Sequence, residues 1–360
     1  MRIVQIIDSL EAGGAERMAL NYANSLADMI EFSGIVTTRK EGPLLKVIQS
    51  NCSYLYLSRK YAIDFKAVFR LRKYIIQHQV EIVHAHGTSF FIATLLKITY
   101  PQIKIIWHEH YGARVRQSRF NNVILICCSF FFSAIFVVSK SLELWARQKT
   151  FCKQILYIPN FTTCITESSK ETVLQGISGK RIVYVANLKN PKNHLVLLEA
   201  FEQLLLYKMG WSLHLIGKDY LDDYATRLYD FVKNKNLIKS VFFYDSRPDI
   251  KNILLQASIG VLVSTSEGFP VSLLEYGMCA LPTLSANVGS CDEIVIANST
   301  GLLFDPNDIH SLKNQLERLV NDEISRRQFG LKLKTWVSKN FSKEVVMQML
   351  ITKYADILTK

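Results

Sequence analysis

Short apolar runs recur along the chain, separated by stretches in which apolar positions return every three or four residues. In the first half the runs are residues 3–7, 34–37, 82–85, 103–107 and 134–138, each the length of a buried strand. Between them, residues 15–26 and 65–77 read as amphipathic helices, the second through Phe65, Val68, Phe69, Leu71 and Ile75. The second half repeats the plan with runs at 181–185, 212–216, 241–244, 260–263 and 282–285, and helical patterns over 193–205, 222–233 and 272–278. Strands alternating with helices form a parallel sheet covered on both faces. Residues 159–179 are rich in Ser and Thr and have no period, which predicts a linker. The pattern therefore predicts an α/β protein of two doubly wound domains, residues 1–165 and 166–342. A closing amphipathic helix follows within 343–360. Ligands of such domains bind at the carboxyl ends of the strands, here in a central cleft.

The longest apolar stretch is residues 123–138, with Ser129 and Ser133 inside it. A spanning helix needs ~20 residues, so this stretch reads as a helix followed by a strand. The first run meets Asp8 too early for a secretory leader. Seven Cys, an odd number with no C-x-x-C pair, argue against a disulfide framework or a zinc ribbon and for a cytoplasmic chain.

Charge separates the halves. Residues 1–160 hold 20 Lys plus Arg and 10 Asp plus Glu, and residues 161–360 hold 23 and 21. The net charges are +10 and +2. A basic first half predicts an anionic ligand or surface there. The chain lacks a finger spacing, an RNP-like aromatic string and a dense basic stretch, so nucleic acid is not an expected partner.

Four places carry candidate chemistry. Gly13-Gly14 opens the first helix, where the backbone can approach a ligand and free N–H groups face an anion. His84, His86, His108 and His110 stand at the ends of two successive strands. Their strand-period spacing and the missing acidic ligands argue against zinc, with His84 in the core and His110 facing the cleft. Glu267-Gly268-Phe269-Pro270-Val271-Ser272, followed by Glu275, runs from a strand into a helix. A loop carboxylate and a helix carboxylate eight residues apart can hold sugar hydroxyls, with the helix N-terminus offered to phosphate. Lys192, on the turn that begins at Asn187, aims a cation at the same crevice.

In this order the chain resembles glycosyltransferase family 4, the retaining nucleotide-sugar enzymes of the GT-B fold. The resemblance rests on Gly13-Gly14-Ala15-Glu16-Arg17, His84-Ala85-His86, His110, Val138-Ser139, Pro159-Asn160, the turn from Asn187 to Asn193, Glu267 through Pro270 with Glu275, and Gly301-Leu302-Leu303-Phe304. It implies two Rossmann-like domains, the first for the acceptor and the second for a UDP- or GDP-sugar. It implies that Glu275 holds the donor ribose, Glu267 the transferred sugar and Lys192 the diphosphate. Gly14 would lie by the phosphates or acceptor and His110 by the reacting sugar, with Gly268, Phe269, Pro270 and Ser272 lining the donor. The closing helix would pack back on the first domain.

No metal or cofactor is implied, and the product would be a cell-surface polysaccharide or glycolipid. The family often has Arg where this chain has Asn187, which leaves the diphosphate to Lys192, helped by Lys189 or Arg247. The same departure feeds a second reading, a catalytically weak sugar-nucleotide-binding protein; a GT-B epimerase is a third and would need further acid/base carboxylates. Arg114, Arg116 and Arg119, followed by Phe120, Ile124, Phe130, Phe131 and Phe132, predict peripheral attachment to the inner face of the cell membrane through the first domain.

Overall fold

The computed structural model describes residues 1–11, 13–162 and 171–359. The chain divides into two units, residues 1–161 with 343–360, and residues 162–342. The boundary expected at 165/166 lies outside the described residues.

The first unit is built on seven parallel strands: β1 (Arg2–Ser9), β2 (Phe32–Lys40), β3 (Ser53–Tyr56), β4 (Ile82–His86), β5 (Lys104–Glu109), β6 (Ala134–Val137) and β7 (Ile155–Tyr157), in the order β3-β2-β1-β4-β5-β6-β7. The second has six: β8 (Arg181–Val185), β9 (Ser212–Ile216), β10 (Val241–Tyr244), β11 (Ile259–Leu262), β12 (Thr283–Ala286) and β13 (Leu302–Phe304), in the order β10-β9-β8-β11-β12-β13. Both central strand sets are buried on both faces, as continuous apolar runs require. Each sheet reverses its winding once, at β1/β4 and at β8/β11, and a crevice opens at such a point beyond the strand ends.

The short strands β3, β7 and β13 were not expected as strands. The helix Phe65–Gln77 starts at Asp64, whose carboxylate accepts the Ala67 N–H. Its inward stripe is Ala67, Val68, Leu71, Tyr74 and Ile75. Phe65 and Phe69 point outward instead, a correction to the expected face. The run 123–138 resolves into the helix Arg119–Cys128, a turn and β6. No helix among the described residues is long and apolar enough to cross a membrane. The helix Lys343–Leu358 buries Val346, Met347, Leu350, Tyr354 and Ile357 and belongs to the first unit.

Candidate functional site

In the second unit the crevice at β8/β11 gathers most of the expected donor residues. β8 and β11 pair only at Ile182 and Val183, opposite Ile259 and Gly260. Beyond that, Tyr276 stands between them: its hydroxyl accepts the Val185 N–H at 2.9 Å and donates to the Val261 carbonyl at 3.2 Å. The loop after β8 carries Lys192 and the loop after β11 carries Glu267. Lys192 Nζ donates to Glu267 Oε1 at 2.6 Å, with both side chains mostly buried. The buried Tyr184 hydroxyl donates to the Lys192 carbonyl at 2.7 Å, and the Thr265 N–H to the Pro191 carbonyl at 3.0 Å, so the two loops are tied together.

Two glycine-dependent contacts finish this loop. The Ser290 N–H donates to the Gly268 carbonyl at 3.0 Å. Gly289 has φ +59, and a Cβ there would lie 2.2 Å from the Glu267 carbonyl oxygen. Gly289 therefore lets the turn after β12 press against the Glu267 loop. The helix Val271–Met278 follows directly, with Pro270 at its N-cap, Ser272 half-buried and Glu275 buried one turn in. Its Gly277 packs on Val337 of the helix Glu323–Phe341, where a Cβ would stand 2.5 Å from the Val337 side chain.

Two expected donor residues have other work in their side chains. Phe269 is buried edge-on against Phe341, 5.2 Å between ring centres, so only its backbone can meet a ligand. Asn187 Oδ1 accepts the Lys218 N–H at 3.0 Å and fixes the β8 loop to the β9 loop. Of the helper cations, Lys189 lies over the Tyr220 ring at 5.5 Å and Arg247 over Tyr244 at 6.0 Å.

In the first unit the strand ends at β1/β4/β5 carry a column of histidines. His84 and His86 share a face of β4, and His86 is opposite His108 on β5. Gln5 Nε2 donates to the Tyr354 hydroxyl at 3.4 Å, so that hydroxyl's hydrogen goes to His84 Nδ1 at 2.6 Å. His84 Nε2 then donates to His108 Nδ1 at 3.1 Å. Gln5 Oε1 accepts from His86 Nε2 at 2.8 Å, and His86 Nδ1 accepts from His110 Nε2 at 2.9 Å. The orientation of one amide thus fixes the tautomer of each ring in the chain, and it leaves His110 Nδ1 as that ring's acceptor. Burial, with neighbouring rings adding to it, holds His84, His86 and His108 well below the ordinary imidazole value. Burial also pushes His110 down to about 4, with its hydrogen bond to Asn160 acting the other way.

Among the described residues His84, His86 and His108 have ring nitrogens within 4.8 Å of one another, close enough for a shared metal ion. Five of their six ring nitrogens serve the hydrogen bonds just described, and His108 Nε2 takes part in none of them. Gly14 is the exposed first residue of the helix Gly14–Ala27, with open space where a Cβ would stand.

Arg114 is not on the surface that the sequence predicted for it. It pairs with Glu109, which is 1% exposed. It also donates to Asn122 Oδ1 at 2.8 Å and lies over Trp107 at 5.7 Å. Glu109 is buried at the end of β5 and needs a counter-ion, which Arg114 supplies. The pair, with the Tyr111 N–H donating to Glu109 at 2.9 Å, folds down the loop that begins at His110. The Arg119 side chain lies outside the described residues.

Comparison with known proteins identifies both units. The model of glycosyltransferase family 4 matches residues 12–188, and that of the glycosyl transferases group 1 matches residues 170–336. A UDP-Gal:alpha-D-GlcNAc-diphosphoundecaprenol alpha-1,3-galactosyltransferase of Escherichia coli is 24% identical over 367 residues, covering 95% of this chain and 92% of its own. The O-antigen biosynthesis glycosyltransferase WbnH of the same organism is 23% identical, covering 91% and 92%. The Anabaena HepE protein, crystallised with UDP and glucose, has the same fold at a TM-score of 0.83 and 16% identity, covering 99% of this chain and 100% of that one. With the two matches running together from residue 12 to residue 336 over two parallel sheets of this topology, the chain belongs to the GT-B glycosyltransferases, its first domain of family 4 and its second of group 1.

Proposed function

We propose that the chain is a retaining, metal-independent glycosyltransferase that moves a sugar from a UDP-sugar to a hydroxyl of a lipid-linked saccharide. The transfer would serve polysaccharide or glycolipid assembly at the inner face of the cell membrane. The observation that carries the donor reading is the Lys192–Glu267 pair at the head of the helix that holds Glu275. UDP in the HepE crystals supports the base, and the diphosphoundecaprenol acceptor in the Escherichia coli relative's name supports the acceptor.

In this mechanism the anomeric C–O bond to the diphosphate breaks, and the acceptor oxygen attacks from the same face. The acceptor proton passes to a diphosphate oxygen. Negative charge builds on the leaving group, where Lys192 and the N–H groups at the start of Val271–Met278 stabilise it. Glu267 releases Lys192 to the phosphates and takes sugar hydroxyls in its place. Glu275 accepts from the ribose hydroxyls. His110, neutral at pH 7, would stand by the reacting sugar.

The test is calorimetric titration with a panel of UDP- and GDP-sugars on wild type and Glu275→Ala. Losing hydrogen bonds to a carboxylate costs about 1.5–3 kcal/mol, so one UDP-sugar should bind roughly 10- to 150-fold more weakly to the variant. An affinity unchanged by Glu275→Ala sinks the ribose assignment, and preference for a GDP-sugar sinks the base. The anomeric coupling of the product, read by NMR, decides retention.

A further inference from the structure

The helix Arg119–Cys128 is apolar on two sides. Leu125 and Cys128 enter the core. Phe120, Val123, Ile124 and Cys127 are exposed, at the spacing i, i+3, i+4, i+7 that puts them on one face. The turn Ser129–Phe131 extends this stripe with Phe130 and Phe131. Phe120 is 89% exposed and Phe130 is 74% exposed, whereas Phe132, expected beside them, is buried. Phe130 also lines an open depression with the exposed Phe151 and Lys153. Single exposed apolar residues are ordinary on a soluble surface; a periodic stripe of them marks an interaction site.

Charge selects the occupant. Between residues 115 and 160 six basic residues stand against one acid, Glu143, which Arg147 holds at 2.6 Å. Arg116 and Lys153 are exposed at either end of the segment that carries the stripe. We infer that this stripe, Phe120 to Phe131, docks on an anionic lipid bilayer, its rings entering the acyl boundary and its cations meeting lipid phosphates. A second copy of the chain would set one basic rim against another. The inference deepens the proposed function, resting on its lipid-borne acceptor: only nine residues, folded down by Glu109 and Arg114, join His110 to the stripe at Phe120.

The test is sedimentation of the intact protein with vesicles of phosphatidylcholine alone or mixed with phosphatidylglycerol, at low and high salt. The protein should pellet with the mixed vesicles, weakly with neutral ones, and be released by salt. Phe120→Ser with Phe130→Ser should lower partition by about tenfold or more. Arg116→Glu with Lys153→Glu should lower it about fivefold for each cation removed, or more. If the Phe pair lowers the unfolding temperature, the charge pair, on exposed positions, decides. Equal binding to both vesicle types, no binding, or binding unmoved by both pairs overturns the inference. So does self-association abolished by the Phe pair in the absence of vesicle binding. The vesicles carry neither donor nor saccharide, so failure here leaves donor binding by the second unit standing, and failure of donor binding leaves this result standing.

Discussion

Asn187 and Lys192 sit five residues apart on one loop, and their partners separate their roles. Asn187 spends its oxygen on the Lys218 N–H, so it is bound into the scaffold before any ligand arrives. Lys192 holds Glu267, a partner it can exchange for phosphate. Lys192→Ala should therefore lower kcat/KM by roughly 100-fold or more, the scale of losing one stabilising group for a developing anion. Asn187→Ala should cost about 1 kcal/mol of stability and little turnover. Thermal unfolding and steady-state kinetics on the two variants separate the roles; equal kinetic losses, or a harmless Lys192→Ala, would overturn them. An Arg at position 187 could not accept the Lys218 N–H, so putting back the family's usual cation would break a bond this chain relies on.

At the scale of elements, the histidine column depends on two strands holding alternate residues inward in register. The unfolded imidazole titrates near 6.5, and the folded rings titrate well below, His110 at about 4. Above about pH 6.5 both states are neutral and the contribution is fully present. As pH falls from about 6.5 toward about 4 the unfolded chain takes up protons that the folded chain refuses, and stability is lost. Among the described residues of the second unit, only His194 and His214 are held down in this way, to about 3 and about 4. In calorimetry the first unit's transition should fall further than the second's across that window, and equal falls would refute the account. Ten of the thirteen strands, the helices at 65–77 and 272–278, and the glycine and carboxylate loops were legible because apolar period and turn residues are local. The outward face of Phe65 and Phe69, the Glu109–Arg114 pair and the burial of Phe269 were not. Each depends on a partner or a packing surface that no spacing encodes, and a lone basic residue near aromatics reads the same whether it faces solvent or a buried acid.

At the scale of the whole molecule, the chain leaves its first unit at residue 161 and returns to it at residue 343. The returning helix supplies five buried apolar side chains, and Tyr354 is hydrogen-bonded to His84 and Gln5 at the head of the histidine chain. Burying one large apolar side chain stabilises by about 1.5–3 kcal/mol, so five approach the whole stability of a domain, about 5–15 kcal/mol. A chain ending at Ser342 should thus lose the first unit's unfolding transition and keep the second's, whose sheet and helices close before residue 343. Tyr354→Phe keeps the ring and removes only the hydroxyl, leaving His84 Nδ1 buried and unbonded. It should cost about 1–3 kcal/mol and lower the first transition alone. If truncation leaves both transitions in place, the helix is an ornament on the first unit. If Tyr354→Phe shifts neither, the histidine chain ends at His84 and owes nothing to the residues that return.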